Sequence, residues 1–199
     1  MYFPLFINVD NKNVLIVGGG HVAYRKACSF IEFNAQVTVV SMHVIDEMKD
    51  LDLIVYMDEY KDTYLDGMEL VIAATDDTKL NHRIAADCRK RHILVNAVDQ
   101  VEDCDFIFPS ILKEKELVAA FSSGGNSPVL TQYIRDKNKE IITESLGDIN
   151  AYMGSIRNEI QGCIPSHKRK EIYQKILHLC IDKDRPLHKE ELEEVLHNG

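Results

Sequence analysis

Three groups of residues in this chain have types and spacings that can do chemistry. The first is Gly18-Gly19-Gly20-His21-Val22-Ala23, a G-x-G-x-x-A run. Gly18 suits a tight turn, Gly20 lets backbone come close to a pyrophosphate, and Ala23 is small enough for close helix–strand packing. A helix opening at His21, with Val22 in its first turn, turns free N–H groups and the positive end of its dipole toward that phosphate. The second group is a pair of carboxylates, Asp99 and Asp105. Asp99 follows Asn96-Ala97-Val98 at a strand end, where it can accept a proton or stabilise a developing cation; Asp105 is the second candidate. Both types also suit turns and helix caps. The third group is Ser122–Pro128, a small-residue turn whose Ser127-Pro128 pair is a sound start for a helix.

These groups need elements to position them. Val14–Val17 reads as a strand buried on both faces, ended by the glycines. From His21 to Phe33 the apolar residues recur at helical spacing, and Asn34 offers a stop before the β-branched run Val37–Val40. Strand, glycine turn, helix and strand then occupy the expected ~30 residues. Ile54–Tyr56 and Leu70–Ala74 read as further strands, and Lys79–Arg91 as a helix leading into Ile93–Val95, an alternation that predicts a doubly wound parallel sheet. At the end of the second strand, where an Asp or Glu usually grips the ribose, stands Ser41. Ser41, Met42 and His43 are therefore expected to line the adenosine, with NAD and NADP undecided by residue type. Ala74 and Thr75, in Ala73–Asp77, allow a flat ring to lie over the strand ends, and Thr75, Asp76 or Asp77 can also cap the next helix.

After Pro109 the alternation stops. Leu117–Phe121 suggests one more strand, a helix is expected from Val129 to about Leu146, and Gly147, Gly162–Pro165 and Asp184–Pro186 punctuate three further amphipathic segments. The expected architecture is α/β: a Rossmann-like domain over residues 1–112, a dimerisation segment over 113–146 and a helical C-terminal domain over 147–199. The apolar surface of the later helices predicts a homodimer.

The bulk numbers set limits on partners. The net charge is −9, which speaks against nucleic acid, whose affinity is built on Lys and Arg. Residues 1–110 carry 10 Lys and Arg against 18 Asp and Glu, and the remainder 13 against 14, so an anionic ligand is expected at the second part. Five cysteines without a C-x-x-C spacing, and His21, His43, His82 and His92 without an i,i+4 pair, argue against a disulfide framework and a permanent metal site, and fit a reducing, cytoplasmic compartment. The apolar run Met1–Ile7 is too short to span a bilayer, so no membrane association is expected.

Six ordered stretches carry a resemblance. Tyr2–Phe6, Val17–Ala27, Ala73–Asp77, Asn96–Asp99, Phe106–Ser110 and Ser122–Pro128 resemble, over about the first 140 residues, the precorrin-2 dehydrogenase family and the matching half of bifunctional siroheme synthases. The resemblance implies NAD-dependent removal of two hydrogens from precorrin-2, an octacarboxylate tetrapyrrole, to give sirohydrochlorin for siroheme or cobalamin. Asp99 aligns with the family's catalytic aspartate. Ser123, Gly124, Gly125 and Asn126 resemble the family's active-site loop, where a hydroxyl and N–H groups hold a substrate carboxylate; Ser123 matches a serine phosphorylated in some relatives. Arg135 and Lys137 are expected to meet other carboxylates. With no methyltransferase stretch here, that step is expected elsewhere. Two alternatives stay open: added iron or cobalt chelation, and a non-catalytic NAD(H)-sensing module.

Overall fold

A computed structural model describes residues 2–197; Met1 of the apolar N-terminal run, and Asn198 and Gly199 of the expected C-terminal domain, lie outside the described residues. The chain divides into two compact units, one up to Ile107 and one from Phe108.

The first unit is a five-stranded parallel sheet in the order β3-β2-β1-β4-β5. Its strands are β1 (Asn13–Val17), β2 (Gln36–Val40), β3 (Ile54–Tyr56), β4 (Leu70–Ala73) and β5 (Leu94–Ala97). Val14, Leu15, Ile16 and Val17 are at most 2% exposed, as a strand covered on both faces requires. Helix α1 (His21–Glu32) buries Ala23, Ala27 and Phe30. Leu15, Val17, Val71 and Ala73 share the opposite cluster with Ile84, Ala85 and Cys88 of α2 (Thr78–Lys90). Asn34 takes the left-handed conformation (φ 61°) that ends α1. Strand order reverses between β1 and β4, which opens a crevice at their carboxyl ends.

In the second unit β6 (Ser110–Glu114) and β7 (Leu117–Phe121) form an antiparallel ribbon. β6 was not legible in the sequence, and it gives Leu117–Phe121 a hairpin partner across a turn with Lys115 at φ 57°. Helix α3 (Pro128–Asn138) packs on the ribbon. The single helix expected from Val129 to about Leu146 is two, since α3 stops at Asn138 and α4 runs Glu144–Ser155. Asn138 ends the first by turning its amide onto the Ile134 carbonyl, the β-branched run Ile141–Thr143 disfavours continuation, and Thr143 caps α4 by accepting from the Leu146 N–H. Gly147, expected as punctuation, lies buried inside α4, because a Cβ there would stand 2.8 Å from the Glu114 carbonyl oxygen of β6. Helices α5 (Arg157–Cys163), α6 (Ser166–Lys183) and α7 (Lys189–His197) complete a core of Ile149, Ile160, Ile172, Ile176 and Val195 among others.

Candidate functional site

The glycine bend is shaped by backbone on two sides. A Cβ on Gly18 (φ 127°) would stand 2.2 Å from the Ala74 carbonyl oxygen, and one on Gly19 would stand 1.9 Å from that of His43. Gly19 also receives the Ile45 N–H on its carbonyl (2.9 Å), so the segment after β2 is fastened to the bend. Gly20 differs: apart from its own stretch of backbone, no atom of the described residues lies within 4 Å of where its Cβ would be. It is the N-cap residue of α1, no side chain hydrogen-bonds to that cap, and no acidic residue stands in the first turn. His21 is exposed and Val22 half-buried there, and the helix end keeps unspent N–H donors and an uncompensated positive dipole.

The bend borders a cleft of about 360 Å³ that Ser41, Met42, Asp58, Glu59 and Thr75 also line. Thr75 is held by Asn81, a 2%-exposed side chain that accepts the Thr75 hydroxyl (2.7 Å) and returns its amide to the Thr75 carbonyl (3.0 Å). Asp77 caps α2 by accepting from Lys79 and Leu80. Ala74 contributes the carbonyl that excludes a side chain at Gly18. His43 is exposed, off the cleft lining, and meets the bend through its carbonyl alone. Asp58 is held below the usual carboxylate range by Lys61, then by the Tyr64 hydroxyl (2.8 Å) and the Glu59 N–H. Glu59 is exposed and its carboxylate makes no hydrogen bond or ion pair among the described residues, acting on Lys61 through charge alone. On α1, burial and the neighbouring Arg25 push the Lys26 ammonium down to about 8.

Asp99 stands two residues beyond β5 in a turn closed by the Gln100 N–H on the Ala97 carbonyl (3.3 Å). Its φ of 61° is one that Asp tolerates better than most residues, so the turn explains the residue type in part. Its carboxylate is exposed and takes no hydrogen bond or ion pair from the described residues, which leaves it available to a ligand. Asp105 is differently employed, for its carboxylate accepts the Val95 N–H (3.0 Å) and its own N–H donates to the Val95 carbonyl (2.8 Å). It extends the hydrogen bonding of β5.

The Ser122–Pro128 loop belongs to the second unit and spends most of its polar groups on itself. Ser123 Oγ accepts the Ser127 N–H (2.9 Å), Asn126 donates to the Ser123 carbonyl (2.9 Å), and Ser127 caps α3 through the Leu130 N–H. Gly124 (φ 65°) and Gly125 (φ 91°) make the left-handed turn. Arg135 and Lys137 lie in the last turn of α3, roughly 10 Å or more along its axis from the end of that loop. Arg135 pairs with Asp136 (2.8 Å), and Lys137 lies over the Tyr133 ring (5.9 Å). Their position suits the negative end of the helix dipole, and α3 does not bring them together with Ser123–Asn126. Gly19, Asn81, Asp58 and Glu59 were missed in the sequence; only Gly19 carried a signal there, as the middle glycine of the bend.

Comparison with known proteins adds the family. Residues 5–110, more than half of the chain, match the family described as putative NAD(P)-binding. The chain belongs to that family. It is also similar to the siroheme synthase of Photorhabdus laumondii, with 38% identity over 176 residues that cover 86% of this chain and 37% of that protein. Siroheme synthase 1 of Yersinia enterocolitica is 40% identical over 83% of this chain and 36% of its own length. The chain thus spans less than two-fifths of these curated relatives. Among solved structures, SirC, a precorrin-2 dehydrogenase, superposes with a TM-score of 0.79 at 24% identity, covering 99% of this chain and 98% of that one. This likeness shows the fold, an α/β Rossmann-like sheet with a helical C-terminal part. No helix among the described residues is long and apolar enough to cross a membrane.

Proposed function

We propose that this protein oxidises precorrin-2 to sirohydrochlorin with NAD, in siroheme or cobalamin formation. The observation that carries the reading is the pairing of an open, uncapped helix start at Gly20 with an unpartnered carboxylate at Asp99, each just past the carboxyl end of a strand of one parallel sheet. The space beyond Gly20 fits a diphosphate, and the names of the relatives point to the tetrapyrrole. NAD, when bound, supplies the hydride acceptor. The N–H groups at the start of α1 hold the diphosphate, and Met42 and Thr75 line the cleft that takes the nucleoside. Glu59 and Asp58 outnumber Arg83 on the cleft lining, and the Arg83 guanidinium is drawn toward Asp87 (3.7 Å), a balance that favours ribose hydroxyls over a 2′-phosphate and so NAD over NADP. Two hydrogens leave the substrate, one as hydride and one as a proton that Asp99 accepts.

Val129, Tyr133 and Ile141, 76%, 59% and 64% exposed, give the second unit an apolar surface suited to a homodimer, which sedimentation velocity measures. The test of the reaction is anaerobic incubation with fresh precorrin-2 and NAD, followed by absorbance of NADH and of sirohydrochlorin. Asp99→Asn is expected to bind NADH as the wild type does and to lose turnover by about 100-fold or more. Normal turnover in that variant removes Asp99 from the chemistry, and no heat on titration with NAD or NADH removes the nucleotide site.

A further inference from the structure

The chain just beyond Asp99 is fastened more heavily than a connecting turn requires. The Cys104 thiol donates to the Ala97 carbonyl (3.1 Å), and the Gln100 amide donates to the Thr78 carbonyl (3.1 Å) at the start of α2. Gln100 Oε1 is buried without a partner among the described residues. A short 3₁₀ turn, Val101–Asp103, then carries Asp103 inward until it is 2% exposed. Its two oxygens are divided between two side chains of α2, His82 Nδ1 at 2.7 Å from one and the guanidinium of Arg89, Nη1 at 3.1 Å, from the other. Arg89 also donates to the Glu102 carbonyl (3.0 Å). Burial pushes the Asp103 carboxyl up, but the bonds from His82 and Arg89 outweigh it and hold the group below the usual carboxylate range.

A buried carboxylate is an expensive way to close a turn, since an apolar residue of like volume often stabilises as well or better. What it adds is geometric selectivity, because the oxygens reach both partners, two helical turns apart, in one placement of the turn only. Asp99 lies between this anchor and the end of β5, in a left-handed backbone conformation that surroundings must hold.

We propose that Asp103, clasped by His82 and Arg89, is a positioning residue that fixes the Asp99 turn at the carboxyl edge of β4 and β5. The clasp rests on the reading of Asp99 given above. It keeps the carboxylate ordered before substrate arrives, so turnover does not include ordering the turn.

The test uses His82→Gln with Arg89→Gln, whose side chains are 66% and 43% exposed and whose replacement leaves the buried face of α2 intact. The double variant is expected to keep its NADH affinity and its KM for precorrin-2 within about twofold, to lose kcat by about 30-fold, and to speed hydrogen exchange at the Gln100, Asp103 and Cys104 amides by tenfold or more. Arg89→Lys, which keeps the cation, is expected to recover most of kcat. Faster exchange with unchanged kcat makes the clasp merely structural and overturns the proposal, as does unchanged exchange. Wild-type protein that binds NADH but leaves precorrin-2 unconverted defeats the reading of the reaction and the clasp with it. Wild-type turnover with an undiminished double variant defeats the clasp alone.

Discussion

Two glycine-bearing loops each open a helix in this molecule, and they use the same residue type for opposite ends. At Gly18–Gly20 the first two glycines are forced by backbone oxygens at 2.2 and 1.9 Å from their absent Cβ atoms, while the helix start beyond them is left uncapped. At Ser122–Pro128 the space around Gly124 and Gly125 is nearly empty, their φ values are positive, and the helix start is closed by Ser127. The first loop is tight toward its own fold and open toward a ligand. The second is relaxed toward its fold and has spent most of its hydrogen-bonding groups on itself. The first therefore offers an anion a whole helix start, and the second offers a substrate carboxylate only the donors that its own bonds leave over, the Ser123 hydroxyl hydrogen and one Asn126 amide hydrogen among them.

The largest effect that bears on this contrast is expected from Gly19→Ala, where the methyl must displace the His43 carbonyl. A loss of about 3 kcal/mol in urea unfolding is expected, with NADH binding lost at the same time. Next comes Gly20→Ala. Its methyl points into open space, so stability should stay within about 1 kcal/mol. NADH affinity should still fall at least about tenfold by fluorescence titration, since the methyl occupies the approach of the diphosphate. Equal effects of the two changes on stability would erase the distinction between a packed and an open glycine. Ser127→Ala is expected to cost about 1 kcal/mol through loss of the α3 cap, without change in nucleotide affinity.

The smallest effect extends the contrast to the two units. Glu191 in α7 is held far below the ordinary value of 4.5 by Arg185, then by Lys183 and the His188 N–H. A depressed carboxylate stabilises above its unfolded value and loses that contribution as pH falls through the folded one. The difference in helical circular dichroism between wild type and Glu191→Gln, measured in moderate urea, should be full at neutral pH and shrink below pH 4.5.

The legibility of the two units differs for the same physical reason. β1, the glycine bend and α1 could be read because a buried parallel strand, a crowded turn and a packed helix face each demand particular residue types at short range. Gly19 joins that set only once His43 is known to return against it, and Asn81 only once Thr75 is. The division of 129–146 into two helices was hidden because Ile134, Ile141, Ile142 and Leu146 keep enough apolar periodicity to look continuous, whereas the stop is made by Asn138 and Thr143 side chains. Gly147 reads as a break until the Glu114 carbonyl is seen against it. Asp58 and Glu59 reach the cleft from a three-residue strand with no motif around it, so their part was visible only in three dimensions.

Ser41 has a practical bearing on coenzyme engineering. Its hydroxyl donates to the His43 carbonyl (2.7 Å), the same oxygen that crowds Gly19. Installing an acid or an arginine at position 41, the customary way to re-aim a fold of this kind toward a different pyridine nucleotide, would draw the bolt that keeps the neighbouring segment shut against the bend. On the reading proposed above, a redesign of preference is better begun at Glu59, whose carboxylate makes no hydrogen bond or ion pair among the described residues.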